Sequence, residues 1–337
     1  MKSVEEEQGL KKTNEKHNYN LDWIRVLAMF AILFDHYISS LGNNWLNNIG
    51  LQVGVGGVSL FFVISALLFG YKWRKEDFKP FAPFVFLKKR CVRIFIPLWI
   101  LILITIPLEY LLTGRLELQT ITFNAVGLGW VRPFGISGHL WYITMLMMLY
   151  LCFVVISYIR IDKIKWCWWA LALVLLLIGY VYGQTYLTTY SKAGPPLFLF
   201  TGVLVFAKGN ELMAFAKHHK KVLLMLALMM VSVSLYAYQL GWNESHKAMA
   251  IGSAISAGFI TFMALYANLN VAKGGKTLIW LSGISYEIYL VHQPLIEVCN
   301  AYISNKCMML LVWIVVTFLF AILLNKVSSM MCARIKD

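Results

Sequence analysis

"LDWIRVLAMFAILFDH", residues 21–36, is apolar enough to be buried, yet it carries Arg25 and His36. Eleven positions separate the two, and at about 100° per residue eleven steps close to within about 20° of three whole turns. Both side chains therefore leave nearly the same face of one helix, about 16 Å apart along its axis. An ionisable group on a lipid-embedded helix is costly and marks a working position. Read alone, Arg25 fits equally well a side chain snorkelling to the headgroups or one neutralised by Asp22 at i,i+3. His36 alone fits a packing histidine, and Asp35, about 100° around the helix from it, does not pair with it by adjacency.

The rest of the chain places that helix in a membrane. Of 337 residues 60% are hydrophobic and only 14% charged, with a mean hydropathy of +0.68. An ordinary soluble domain is about 45–50% apolar and about 25% charged. The expected architecture is all-α and polytopic, with about ten crossings of some 20 apolar residues each. They fall near 21–41, 50–71, 94–112, 139–159, 164–182, 195–207 (starting as early as 187), 222–240, 248–269, 277–299 and 307–327. With the N-terminus inside, the inner segments hold 24 lysines and arginines. The outer loops hold five: Arg115, Arg132, Lys192, Lys247 and Lys306. That asymmetry predicts both termini in the cytoplasm.

The formal charge of +14 thus reports topology and a lipid bilayer around the chain, with no soluble domain left to bind nucleic acid. The six scattered cysteines show no paired spacing and read as small apolar fillers; no metal site or prosthetic group is expected. Residues 1–18, with Glu5, Glu6 and Glu7, read as a polar cytoplasmic tail and not a cleaved leader. A ten-helix domain over 19–328 and a short cytoplasmic tail, 329–337, complete the expected organisation. The glycine-bearing outer segment 113–138 is long enough to fold back over a cavity.

Three further polar clusters stand out. Arg90 and Arg93, preceded by Lys88 and Lys89, share a helical face as the third span begins; two guanidiniums side by side suit a phosphate, but on charge alone positive-inside anchoring is the plainer reading. "SGHLWYI", 137–143, puts His139 and Trp141 at the outer mouth of the fourth span, where an aromatic belt is the plainer reading. "SYEIYLVHQP", 285–294, sets Ser285, Tyr289 and His292 on one face at i, i+4 and i+7, with Glu287 adding a carboxylate at membrane depth.

Taken in order along the chain, these segments resemble the acyltransferase 3 family of bacterial membrane O-acyltransferases. That family has an arginine, ten residues and a histidine in its first span, as Arg25 and His36 stand here. "GVSLFFVISA" (57–66), "KRCVRIFIP" (89–97), "GHLWYI" and "SYEIYLVHQP" are similar to the family's later motifs. Ala66 departs from a usual glycine, which bears on helix packing. The resemblance runs from about residue 20 to 325.

The resemblance implies an O-acetyltransferase type of enzyme in the bacterial cytoplasmic (inner) membrane. Its co-substrate would be cytoplasmic acyl-CoA, acetyl-CoA first. Its acceptor would be a hydroxyl of an envelope polysaccharide or of a lipid-linked sugar. On that reading Arg25, Arg90 and Arg93 hold the donor. His36, with Arg25, carries the chemistry as general base or covalent acyl relay. His139, Trp141, Ser285, Glu287, Tyr289 and His292 serve the acceptor or support the site. Since the chain stops soon after its tenth span, the unit is expected to acylate its acceptor itself or to pass the group to a separate protein. A transporter or flippase for a lipid-linked sugar would want similar groups, but no inverted repeat or pair of broken half-helices is visible. In a background without native cysteines, Thr120→Cys should react with a membrane-impermeant thiol reagent in whole cells and Asp77→Cys should not. The opposite pattern would reverse the sides.

Overall fold

The structure, a computed structural model, describes residues 17–186, 194–239 and 244–336. The expected tail, with its three glutamates, lies almost wholly outside them. So do Lys192, the side chain of Lys247 and the earlier start suggested for the sixth span. Among the described residues the chain is helical throughout, with no strand beyond one isolated bridge between Phe134 and Ser137. The helices are α1 (Tyr19–Ser39), α2 (Asn44–Lys75), α3 (Pro83–Thr113), α4 (Leu118–Ala125), α5 (Trp141–Ser157) and α6 (Trp166–Tyr186). They continue as α7 (Gly194–His218), α8 (Lys220–Gln239), α9 (Glu244–Asn268), α10 (Lys276–Gly283), α11 (Ser285–Tyr302) and α12 (Lys306–Lys336). Among the described residues six stretches are long and apolar enough to cross a membrane: 45–75, 83–113, 138–157, 196–218, 250–268 and 306–335.

Each of the ten expected crossings meets at least one helix, but several differ in extent. The third begins at Pro83, not near residue 94, because proline at the first helical position is preorganised for the turn and the basic run continues it. Arg90 and Arg93 therefore sit about two and three turns inside α3. The ninth crossing is two helices, α10 and α11, parted at Ile284 (φ −96°, ψ 6°). Around this joint Ser282 and Ser285 turn their hydroxyls to other partners: Ser282 Oγ reaches Asp22 at 2.7 Å, and Ser285 Oγ reaches the Ser282 carbonyl at 2.8 Å. The last helix runs on to Lys336, so most of the expected C-terminal tail is helical.

Small residues let the helices approach closely, the usual device where lipid offers no hydrophobic drive between helices. α2 lies against α1, α7 and α9. A Cβ on Gly57 would stand 2.7 Å from the Ala28 carbonyl oxygen of α1, and one on Gly258 of α9 would stand 2.7 Å from that of Gly56. Ser59 Oγ donates to the Ile255 carbonyl at 3.0 Å across the same α2–α9 seam. Two cations counted in the charge bias serve packing instead. Arg74 donates to the Phe206 carbonyl at 2.7 Å, and Lys208 to that of Asp162 at 2.6 Å.

The segment between α3 and α5 folds back over the bundle. Thr144 of α5 donates to the Gly127 carbonyl at 2.7 Å and accepts from Trp130 N at 3.1 Å. Gly127 takes φ +79°, a backbone conformation that other residues adopt at a cost. Glu109 of α3 accepts from Ile136 N at 2.8 Å. Replacing Gly258 by leucine should force α9 off α2, because the atoms it would strike, the Gly56 backbone and Ser59 Cβ, are fixed to the α2 main chain and cannot swing aside. A loss of about 1–3 kcal/mol is expected for such overpacking. It should read as a lower melting temperature of detergent-purified protein, whereas Gly275→Leu, at a position with open space, should melt as the wild type does.

Candidate active site

Arg25 and His36 do lie along one helix, and each faces a different cavity. The first chamber, about 340 Å³, is lined by Arg25 of α1, Arg90 and Arg93 of α3, Tyr142 and Tyr150 of α5, and the α10–α11 joint. The second, about 390 Å³, is lined by Asp35 and His36 of α1, Gly54 of α2, Trp130 of the folded-back segment, His139 and Gln293. Two residues line both: Ile32 of α1 and Tyr289 of α11. The chambers therefore abut, with the Ile32–Tyr289 pair as their common wall.

In the first chamber Arg25 Nη1 donates to Ser282 Oγ at 3.1 Å, and the same hydroxyl donates to Asp22 at 2.7 Å. Ser282 thus stands between the arginine and the aspartate that sequence spacing had offered as its direct partner. Asp22 is also hydrogen-bonded to His17. The Arg90 guanidinium lies 4.8 Å from the Phe69 ring centroid, and its Nε is buried without a partner. A guanidinium held by an aromatic face keeps its planar fork of donors for an anion that presents two adjacent oxygens, as a phosphate does. Ser285 lines this chamber too.

Three imidazoles from three helical segments meet at the second chamber. The His36 ring centroid is 4.7 Å from that of His292 and 6.4 Å from that of His139, and the latter two are 4.9 Å apart. His139 sits on a short 3-10 turn, Gly138–Leu140, just ahead of α5. Its backbone N donates to Gln293 at 2.8 Å, and its carbonyl accepts from the Tyr289 hydroxyl. Its Nε2 meets the Leu290 carbonyl at 3.1 Å, and His292 Nδ1 meets that of Tyr289 at 2.5 Å. Carbonyls only accept, so neutral rings carry their protons on those nitrogens. His139 Nδ1 and His292 Nε2 are then bare, and both are buried without a partner. The corner beside His36 offers lone pairs, as a proton-accepting site requires. Among the described residues no group of His, Cys, Asp or Glu is arranged to hold a metal.

Of the other expected site residues, Trp141 and Tyr289 line the histidine chamber. His292 is fully buried behind it, its carbonyl capped by Trp313 Nε1 at 2.8 Å. Glu287 turns the other way, accepting from Asn325 of α12 at 3.1 Å. Sequence reasoning missed Gln293, Tyr142 and Tyr150. The first two lie inside quoted motifs, whereas nothing local distinguishes Tyr150. It also set Asp35 aside, although Asp35 and His36 open on the same chamber.

A polytopic helical protein with an arginine-lined chamber backed onto a histidine-lined one has the layout of a membrane-embedded group-transfer enzyme. A family model described as "Acyltransferase domain" matches residues 18–326. The chain belongs to that family, the acyltransferase 3 family, and is a membrane acyltransferase. No curated protein and no solved structure matches it.

Proposed function

We propose that the protein moves an acyl group, acetyl in the first instance, from cytoplasmic acyl-CoA onto a hydroxyl of a cell-envelope sugar, in a bacterial inner membrane with both termini inside. The observation that carries this reading is the shared wall. A donor whose phosphates lie with Arg25, Arg90 and Arg93 need only pass its thin pantetheine arm by Ile32 and Tyr289 to bring the thioester to His36. The charge bias of the chain supports a donor that enters the arginine chamber from the cytoplasm, where acyl-CoA is made.

In the histidine chamber the acceptor oxygen attacks the thioester carbonyl while its proton passes to a bare imidazole nitrogen. The carbon–sulfur bond breaks and the proton leaves on the CoA thiol. A two-step route would instead pass through an acyl-imidazole on His36 and end in the same products. The bilayer and the folded-back segment keep water from the thioester, which disfavours hydrolysis.

Comparing purified envelope glycans from cells with and without the protein by mass spectrometry should reveal sugars that gain one acetyl group only when the protein is present. His36→Ala should lower that acylation by about 10²–10⁴-fold or more while leaving protein level and acyl-CoA binding intact. Arg90→Lys and Arg93→Lys keep the charge but lose the two-pronged donor, so each should weaken acyl-CoA binding about tenfold. Full donor affinity in both lysine variants would make these arginines topological anchors and move the donor site elsewhere.

A further inference from the structure

The two chambers differ in their polar lining. Three guanidiniums line the first, whereas Asp35 brings a carboxyl group to the second, beside His36. Asp35 is held there by shape. Its carboxyl group lies over the glycines of α2: a Cβ on Gly54 would fall 2.1 Å from Oδ2, and one on Gly50 would fall 3.1 Å from Oδ1. Among the described residues its only hydrogen-bond partner is the Ser39 hydroxyl at 3.5 Å, the limit of a useful contact. A carboxylate has room for about four hydrogen bonds, so nearly all its accepting capacity is unused and open to the chamber.

We propose that Asp35 is the acceptor-binding group of this site, and that the acceptor is a polyhydroxyl ring with at least two hydroxyls in reach. One is delivered to His36 for acylation, and a neighbouring one donates to Asp35. The inference rests on the acyl-transfer reading above and narrows its acceptor. Successive residues on a helix diverge by about 100°, so Asp35 and His36 grip two points of one ring rather than a single oxygen. α2 carries glycine at positions 50 and 54 because any side chain there would push the carboxyl group aside.

The test uses wild type, Asp35→Asn, Gly54→Ala and His36→Ala in lipid nanodiscs. Radiolabelled acetyl-CoA is the donor, and methyl hexopyranosides with their monodeoxy counterparts serve as acceptor probes. Asp35→Asn should lower kcat/KM at least tenfold, mainly through KM, with acetyl-CoA binding unchanged. The penalty should vanish on the monodeoxy sugar lacking the Asp35-bound hydroxyl, a pattern that lost packing would not produce. Gly54→Ala should reproduce the defect with Asp35 still present. In parallel, modification of Asp35 by dicyclohexylcarbodiimide, read by peptide mass spectrometry, should slow when the glycosides are added. A wild-type KM in Asp35→Asn, or unchanged modification in the presence of glycosides, would overturn the inference. If the wild type transfers nothing to any glycoside but the sugars still protect Asp35, the acyl-transfer reading fails and the sugar site stands. If there is neither transfer nor protection, both fail.

Discussion

Everything at the site depends on how closely α1 lies on α2. Gly50, Gly54 and Gly57 remove three side chains from that seam, so α1 comes near enough for its own backbone and the Asp35 carboxyl to fill the space. A membrane helix gains nothing from hiding apolar surface that lipid would cover equally well, and close van der Waals contact is what remains to fix it. The fixed helix then holds Arg25, Ile32, Asp35 and His36 in one orientation. Each of the two chambers takes one wall from α1, and their junction falls at Ile32.

The buried polar groups show how the membrane's cost is met. Arg25 and Asp22 share the Ser282 hydroxyl, made available where α10 gives way to α11. Glu287 is met by Asn325, and the His292 carbonyl by Trp313. Among the described residues, the buried polar atoms left unpaired include several at or beside the chambers: the Arg90 Nε and the bare nitrogens of His139 and His292, with most of the Asp35 carboxyl also unmet. Unmet hydrogen-bonding capacity at membrane depth is the expected mark of positions that wait for a substrate.

Much of this was legible in the sequence, because helix periodicity and lipid solubility are local properties. The shared face of Arg25 and His36, the apolar runs and the pairing of Arg90 with Arg93 all follow from spacing alone. What was hidden depends on contacts between distant segments. No local pattern says that residues 36, 139 and 292 meet, or that Tyr289 divides two cavities. Asp35 was set aside because its angle from His36 excludes a direct pair, but a cavity wider than one side chain admits both. Glu287 sits in the same polar motif, but that its carboxylate accepts from Asn325 of α12 depends on a contact no local pattern shows. The break at Ile284 was invisible because a short apolar stretch reads the same as one helix or two.

The central claim is that one donor spans both chambers across the Ile32–Tyr289 wall. Cryo-electron microscopy of the protein in nanodiscs with a non-transferable thioether analogue of acetyl-CoA tests it most directly. The account predicts phosphate density within hydrogen-bonding reach of Arg90 and Arg93, a pantetheine arm passing between Ile32 and Tyr289, and the sulfur on the His36 side. Phosphates bound elsewhere, or a sulfur that remains on the arginine side with no passage past Tyr289, would contradict it.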